Sequence, residues 1–277
     1  MRGNARCQNM NRLVHDMRYI TLFFHIVKIN SINLMMYRTN FFMNIIDSLI
    51  WFVITLIFFN TLFGYVENVN GWSIYDIYLL LGTSEILKSL IFVLFINNLP
   101  YIPSLVNKGT LDLLLLKPVN SQFIVSLRKL DMGNFGNLFP AIVLVIYALI
   151  NLNATLQISQ ILEYLCFIVT GVVLAYALWF ITMTLSIWIT KVDGLHELFL
   201  GAMTLFRYPT SFFKGIGRII FVFIFPIVIV ANVPVERLLD VSNGTNVYQY
   251  FLYVVGFLVC SAMFWKFSLK HYQSAGG

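Results

Sequence analysis

Charge is what this chain has least of. Of its 277 residues only 11% are charged, against 59% hydrophobic. A soluble domain carries roughly 25% charged and about 45–50% apolar residues. No globule of this length hides such an apolar excess from water. Disorder is excluded as well, because it requires a polar composition. What remains is a polytopic membrane protein.

Other shortages remove whole classes of chemistry. The three cysteines (Cys7, Cys166, Cys260) lie far apart, with no C-x-x-C and no metal-ligand spacing, so they give no disulfide framework and no metal site. H-E-x-x-H and G-x-S-x-G are missing. The four histidines (His15, His25, His196, His271) share no helix face with a carboxylate pair. No G-x-x-x-x-G-K-[ST] occurs, so the chain carries no P-loop for nucleotide phosphates. Residues 1–18 are polar and basic and do not read as a signal peptide. The net charge of +6 does not point to nucleic acid, because Lys and Arg held on one side of a bilayer make most helical membrane proteins basic.

The apolar residues are arranged in six runs. A bilayer core about 30 Å thick needs about 20 helical residues to cross. The predicted spans are Phe41–Phe63, Ile77–Ile96, Phe135–Leu152, Ile161–Ile189, Ile216–Val233 and Tyr248–Trp265. An even count puts both termini on one side. With the termini inside, 16 of the 18 basic residues fall in inner segments or at inner span ends, so the positive-inside rule places both termini in the cytoplasm. Residues 1–40 form a cytoplasmic segment, 41–266 the six-helix domain and 267–277 a short cytoplasmic tail. Two stretches repeat at helical spacing: Ile20, Phe23, Phe24, Val27, and Leu195, Leu198, Phe199, Ala202, Phe206. Both fit interfacial amphipathic helices or inner loops lying on the bundle. The interfacial reading is preferred for the first, which leads into a span.

Ionisable and helix-breaking residues inside the runs are the candidate pathway or gate. Glu85 and Lys88 are three apart on the second span and share a face. Intramembrane charge faces a bundle interior or a watery cavity, so the pair either lines a route or is a structural ion pair. Asp47 lies nearer the inner end of the first span, where helix packing or an interface is expected. Pro226 removes a backbone hydrogen bond in the middle of the fifth run, so a kink is predicted there. Asn232 and Pro234 are expected to end that run, as a gate or as a simple cap.

The inner loop 97–131 is the most specific feature. Its middle, Ile102–Leu116, is apolar enough to dock yet too short to span, and Lys117-Pro118 stops it. It reads as a compact element suited to pressing on a soluble partner.

The run NKGTLDLLLLKPVNSQF in this loop resembles the signature of bacterial ABC-type exporter permeases of the type-2 class. The matching residues are Gly109, Leu111, Asp112, Lys117, Pro118, Val119, Gln122 and Phe123. YRTNFF (Tyr37–Phe42), GWS (Gly71–Ser73) and RYPTSFFKG (Arg207–Gly215) are similar to the same class. The resemblance covers about Met17 to Lys270.

It implies an all-α membrane protein of six transmembrane helices, with an N-terminal interfacial helix and cytoplasmic coupling helices. It also implies a bacterial plasma-membrane location, a second permease protomer, identical or related, and two separate ATP-binding cassette subunits. ATP and Mg would sit on those subunits, with no cofactor, metal or catalytic residue on this chain. The coupling element would include Pro103, Lys108, Gly109, Leu111, Asp112, Leu115, Lys117 and Pro118. The expected function is the membrane subunit of an ATP-driven exporter of an amphipathic or hydrophobic substrate. The alternative is an ion-gradient-driven secondary transporter or channel using Glu85 and Lys88.

Overall fold

The structure, a computed structural model, describes residues 19, 21–32, 38–66, 68–154, 156–189, 194–239 and 247–272. Among these residues there are helices and turns, and no strand beyond one isolated bridge between Val69 and Trp72. A short helix α1 (Thr21–Ile32) precedes α2 (Arg38–Phe63) and α3 (Ile74–Phe95). Three short helices follow: α4 (Ile102–Asn107), α5 (Asp112–Leu115) and α6 (Ser121–Leu127). Then come α7 (Leu138–Asn151), entered through a 3-10 turn, and α8 (Ile158–Thr184). The last elements are α9 (Leu195–Met203), α10 (Gly215–Ile224, ending as a π-helix), α11 (Ile229–Leu238) and α12 (Val247–His271).

Five helical stretches are long and apolar enough to cross a membrane: those around α2, α3, α7, α8 and α12. Their order fixes two ends of the bundle. The near end carries loop 97–131, and the far end carries the loop joining α2 to α3. That far loop is a tight turn, in which Val69 and Trp72 exchange both backbone hydrogen bonds at 3.0–3.1 Å. Ser73 then caps α3, in a capping box with Asp76. Such a cap satisfies amide groups that a helix start leaves open.

The core is built on α3 and α8. α3 lies along α7, and α8 lies between α11 and α12. Close approach is bought by small residues. A Cβ at Gly82 would stand 2.7 Å from Val145 Cγ2 and 3.0 Å from the Ala141 carbonyl oxygen. A Cβ at Gly171 would stand 3.0 Å from the carbonyl oxygen of Val230. That carbonyl is the one left without a helical N–H by Pro234, four residues on. Pro234 therefore does not end its helix, as the sequence suggests; it lies inside α11.

The fifth crossing differs most from the sequence expectation. The run 216–233 is not one helix. Its two halves, α10 and α11, meet at 86° across the break at Pro226. The predicted kink is thus a full change of direction. The segment before it, expected as an inner loop, instead runs along the bundle. His196 stacks on Trp179 at 5.7 Å, near the end of α8. Arg207 Nη1 donates to Thr55 Oγ1 at 3.3 Å, and Tyr208 lies 6.0 Å from Phe59. The Ser211 carbonyl accepts from Asn70 Nδ2, at the far turn, at 3.4 Å. Residues 195–212 thus climb from near end to far end. α10 and α11 form an arch that leaves the far end and returns to it. Thr210, just before the arch, is bonded to Asn232 and Glu236 on its second arm. The sequence misled because 216–233 is the more apolar stretch, while 195–212 is interrupted by Glu197, Arg207 and Pro209.

α1 also differs in detail. Leu22, Phe23, Ile26 and Val27 face Leu127 and Leu130 of loop 97–131 and Met132 just after it, whereas Phe24 is exposed. Ile20 and residues 1–18 lie outside the described residues.

Candidate functional site

Two places gather the chemistry-bearing residues. The first is a cleft of about 330 Å³ between α2, α3 and the climbing segment. α2 contributes Asp47, Ser48, Trp51, Phe52 and Thr55. These share a stripe because residues three and four apart lie on one helix face. α3 contributes Glu85, Lys88 and Phe92, and the climbing segment Leu200, Met203, Thr204 and Arg207.

Lys88 Nζ donates to Glu85 Oε1 at 2.7 Å, and both side chains are mostly sequestered. The predicted i, i+3 pair therefore forms. Arg207 is fixed by neutral oxygens, with Nε on the Thr204 carbonyl at 3.1 Å and Nη1 on Thr55. Of the five pathway candidates, Asp47, Glu85 and Lys88 line this cleft together. Pro226 and Asn232 do not. Pro226 makes the arch's break. Asn232 is buried, donates to the Tyr208 and Val228 carbonyls at 3.0 and 2.9 Å, and accepts from the Thr210 amide at 2.9 Å. It is a clamp on the arch.

Sequence reasoning missed Arg207 as a cleft residue, because its segment was read as an inner loop. The available signal was a polar pair, Thr204 and Arg207, three apart on one helix face next to Leu200.

The second place is loop 97–131. Asn98 closes it at the root. Its buried amide donates to the Leu94 carbonyl at 3.1 Å and to the Lys129 carbonyl at 2.5 Å, and it accepts from the Lys129 amide at 2.9 Å. The Asp131 amide donates to the Val93 carbonyl at 2.8 Å. Both ends of the loop are thereby tied to the end of α3. Within it, Gly109 turns the chain at φ +66°, a conformation that costs a residue with a Cβ about 1 kcal/mol or more.

Leu111 and Leu114 are buried, whereas Leu113 and Leu116 are 65% and 82% exposed. Lys108, Lys117 and Pro118 are exposed beside them, and Pro103, Gly109, Asp112 and Leu115 are half-buried. The eight candidate residues thus belong to one compact element. Its exposed apolar tip, Leu113 and Leu116, was not singled out from the sequence. The consecutive leucines Leu113–Leu116 carry no pattern that separates the exposed from the buried ones.

The element is braced from behind by α6. Gln122 Nε2 donates to Tyr176 Oη at 3.1 Å and to Ser261 Oγ at 3.2 Å. Trp265 Nε1 donates to Ser121 Oγ at 3.0 Å, and Ser126 Oγ and Tyr176 Oη share a bond of 2.9 Å. These bonds link the loop to α8 and α12.

Apolar crossing helices, a charged cleft between them and a braced loop at one end define a polytopic all-α membrane protein with an internal polar site. The chain belongs to the ABC-2 family of transporter proteins, whose family model matches residues 19–276. It is therefore an ABC-type permease, and that family implies association with a membrane and with ABC ATP-binding subunits. No curated protein and no solved structure gives a significant match.

Proposed function

We propose that the chain is the membrane-spanning subunit of an ATP-driven exporter that moves an amphipathic or hydrophobic substrate. It binds no nucleotide itself, and separate ATP-binding subunits drive it through loop 97–131. It works beside a second permease protomer, identical or related, in a bacterial plasma membrane with both termini cytoplasmic. The climbing segment carries Arg207 into the bundle and puts Lys214 and Arg218 after it, towards the far end. Thirteen of the 18 basic residues then remain in segments on the side of the termini, which still favours that orientation.

The observation that carries this reading is the exposed Leu113 and Leu116, flanked by Lys108 and Lys117, on an element hydrogen-bonded through α6 to α8 and α12. An apolar tip with a basic rim suits a protein partner. Its bracing offers a rigid route from that partner to the crossing helices.

The test is co-purification with an ATP-binding subunit, followed by its ATPase turnover in liposomes. The reading expects turnover to depend on this chain. It expects L113D/L116D to abolish association while the melting temperature is kept. Transport driven by an ion gradient without ATP, or intact ATPase coupling after deletion of Lys108–Lys117, would overturn it.

A further inference from the structure

We infer that the cleft between α2, α3 and the climbing segment binds the polar end of an amphiphile carrying both an ammonium and an acidic group. This rests on reading the chain as a transport subunit, and it narrows the class of cargo.

The argument is the order of charge along the cleft. α2 and α3 are joined by a short loop and run antiparallel. Lys88 therefore lies nearer the level of Asp47, and Glu85 nearer that of Thr55, where Arg207 is anchored. From near end to far end the signs alternate: Asp47, Lys88, Glu85, Arg207. Only the middle two are joined, at 2.7 Å. Thr204 and Thr55 orient the Arg207 guanidinium without neutralising it. Among the described residues, neither Asp47 nor Arg207 has an ion-pair partner. Eight residues of helix, about 12 Å, separate Asp47 from Thr55.

Charges that line a cleft at membrane depth attract opposite partners. An anion would satisfy Arg207 and leave Asp47 open. A cation would satisfy Asp47, or would take Glu85 and strand Lys88. A zwitterion completes both ends and leaves the central pair intact. Trp51, 65% exposed and one turn from Asp47, offers a ring face to the same ammonium. Phe52, Phe92 and Leu200 give the cleft an apolar wall. A volume of about 330 Å³ suits a headgroup rather than a whole lipid, so the tail stays along the apolar helix faces.

The test uses the full chain, purified in an uncharged maltoside detergent without ATP or ATPase, and measures binding of single-chain amphiphiles. Two zwitterions are compared: lysophosphatidylethanolamine, with a phosphate, and an N-acyl lysine, with a carboxylate. Lysophosphatidic acid and an alkyl trimethylammonium supply one sign each. At least one zwitterion is expected to bind about tenfold tighter than either single-sign probe. The tighter of the two assigns the source as lipid-like or peptide-like. D47N and R207Q should each erase the preference, and R207K should keep most of it. Asp47 is exposed, so D47N leaves the fold untouched and stands as a test even if an Arg207 variant misfolds. Equal binding of a single-sign probe, or a preference unchanged in D47N, overturns the inference. A chain that keeps the preference but recruits no ATPase overturns the exporter reading alone. A chain that couples to an ATPase without the preference overturns only this one.

Discussion

α2 and α3 are neighbours in sequence and almost equal in hydropathy, at 2.0 and 1.8 for their apolar windows, yet 6% of one and 61% of the other is buried. Hydropathy reports that a helix belongs in a membrane. It says nothing of whether lipid or protein surrounds it. The distinguishing residues are small and polar. α3 carries Gly82, Thr83, Ser84 and Ser89, all buried, and small residues let helix backbones approach. α2 offers bulky residues on most sides, with Trp51, Ile57 and Phe58 all exposed. One helix is scaffold and the other is a wall, and the charged cleft lies where they face each other.

The sharpest way to break this contrast is to enlarge one residue in each helix. Gly82→Leu drives a side chain into Val145 and the Ala141 carbonyl. It should cost about 1–3 kcal/mol or more and sharply reduce the yield of monodisperse protein. Ile57→Phe on α2 should leave the melting temperature unchanged. Equal losses would erase the distinction.

Next in size is Asn98→Ala, which strips the partners from the Lys129 backbone. It should cost about 1–3 kcal/mol and speed amide exchange through loop 97–131, with exchange in α2 unaffected.

The ion pair comes third. Lys88→Met or Glu85→Gln alone leaves one sequestered charge open and should cost about 1 kcal/mol, while the double variant recovers part of the loss. Thermal melts of the four proteins check this. If the double variant is the least stable, the two side chains stabilise α3 independently and not as a pair.

The smallest effect is expected for Ile57→Ala. Truncating an exposed α2 residue should change stability by less than about 0.5 kcal/mol. A larger loss in the isolated chain would show that α2 is held within the protomer after all.

The sequence made the class, five of the crossing helices and the separateness of loop 97–131 legible, because long apolar runs and a Lys-Pro stop are local signals. Glu85 and Lys88 were legible as a pair from their spacing alone. The path of residues 195–238 was not. Hydropathy favours 216–233 as a crossing, and only tertiary contacts at Thr55, Phe59 and Asn70 reveal that 195–212 climbs instead. Arg207 was hidden for the same reason. Pro226 was read correctly as a break, but a proline does not state how far the chain turns. Asn98 and Asn232 work through backbone groups that no spacing rule connects to them.

The knot at Thr210 has a mechanical meaning. Three hydrogen bonds, from the Thr210 amide to Asn232, from Asn232 to the Tyr208 carbonyl and from the Thr210 hydroxyl to Glu236, fasten the arch to the segment that supplies Arg207. A tilt of that segment is handed to the arch, as a door leaf follows its stile. Arg207, which lines the cleft, and the arch at the far end are thereby fastened together as parts of one leaf.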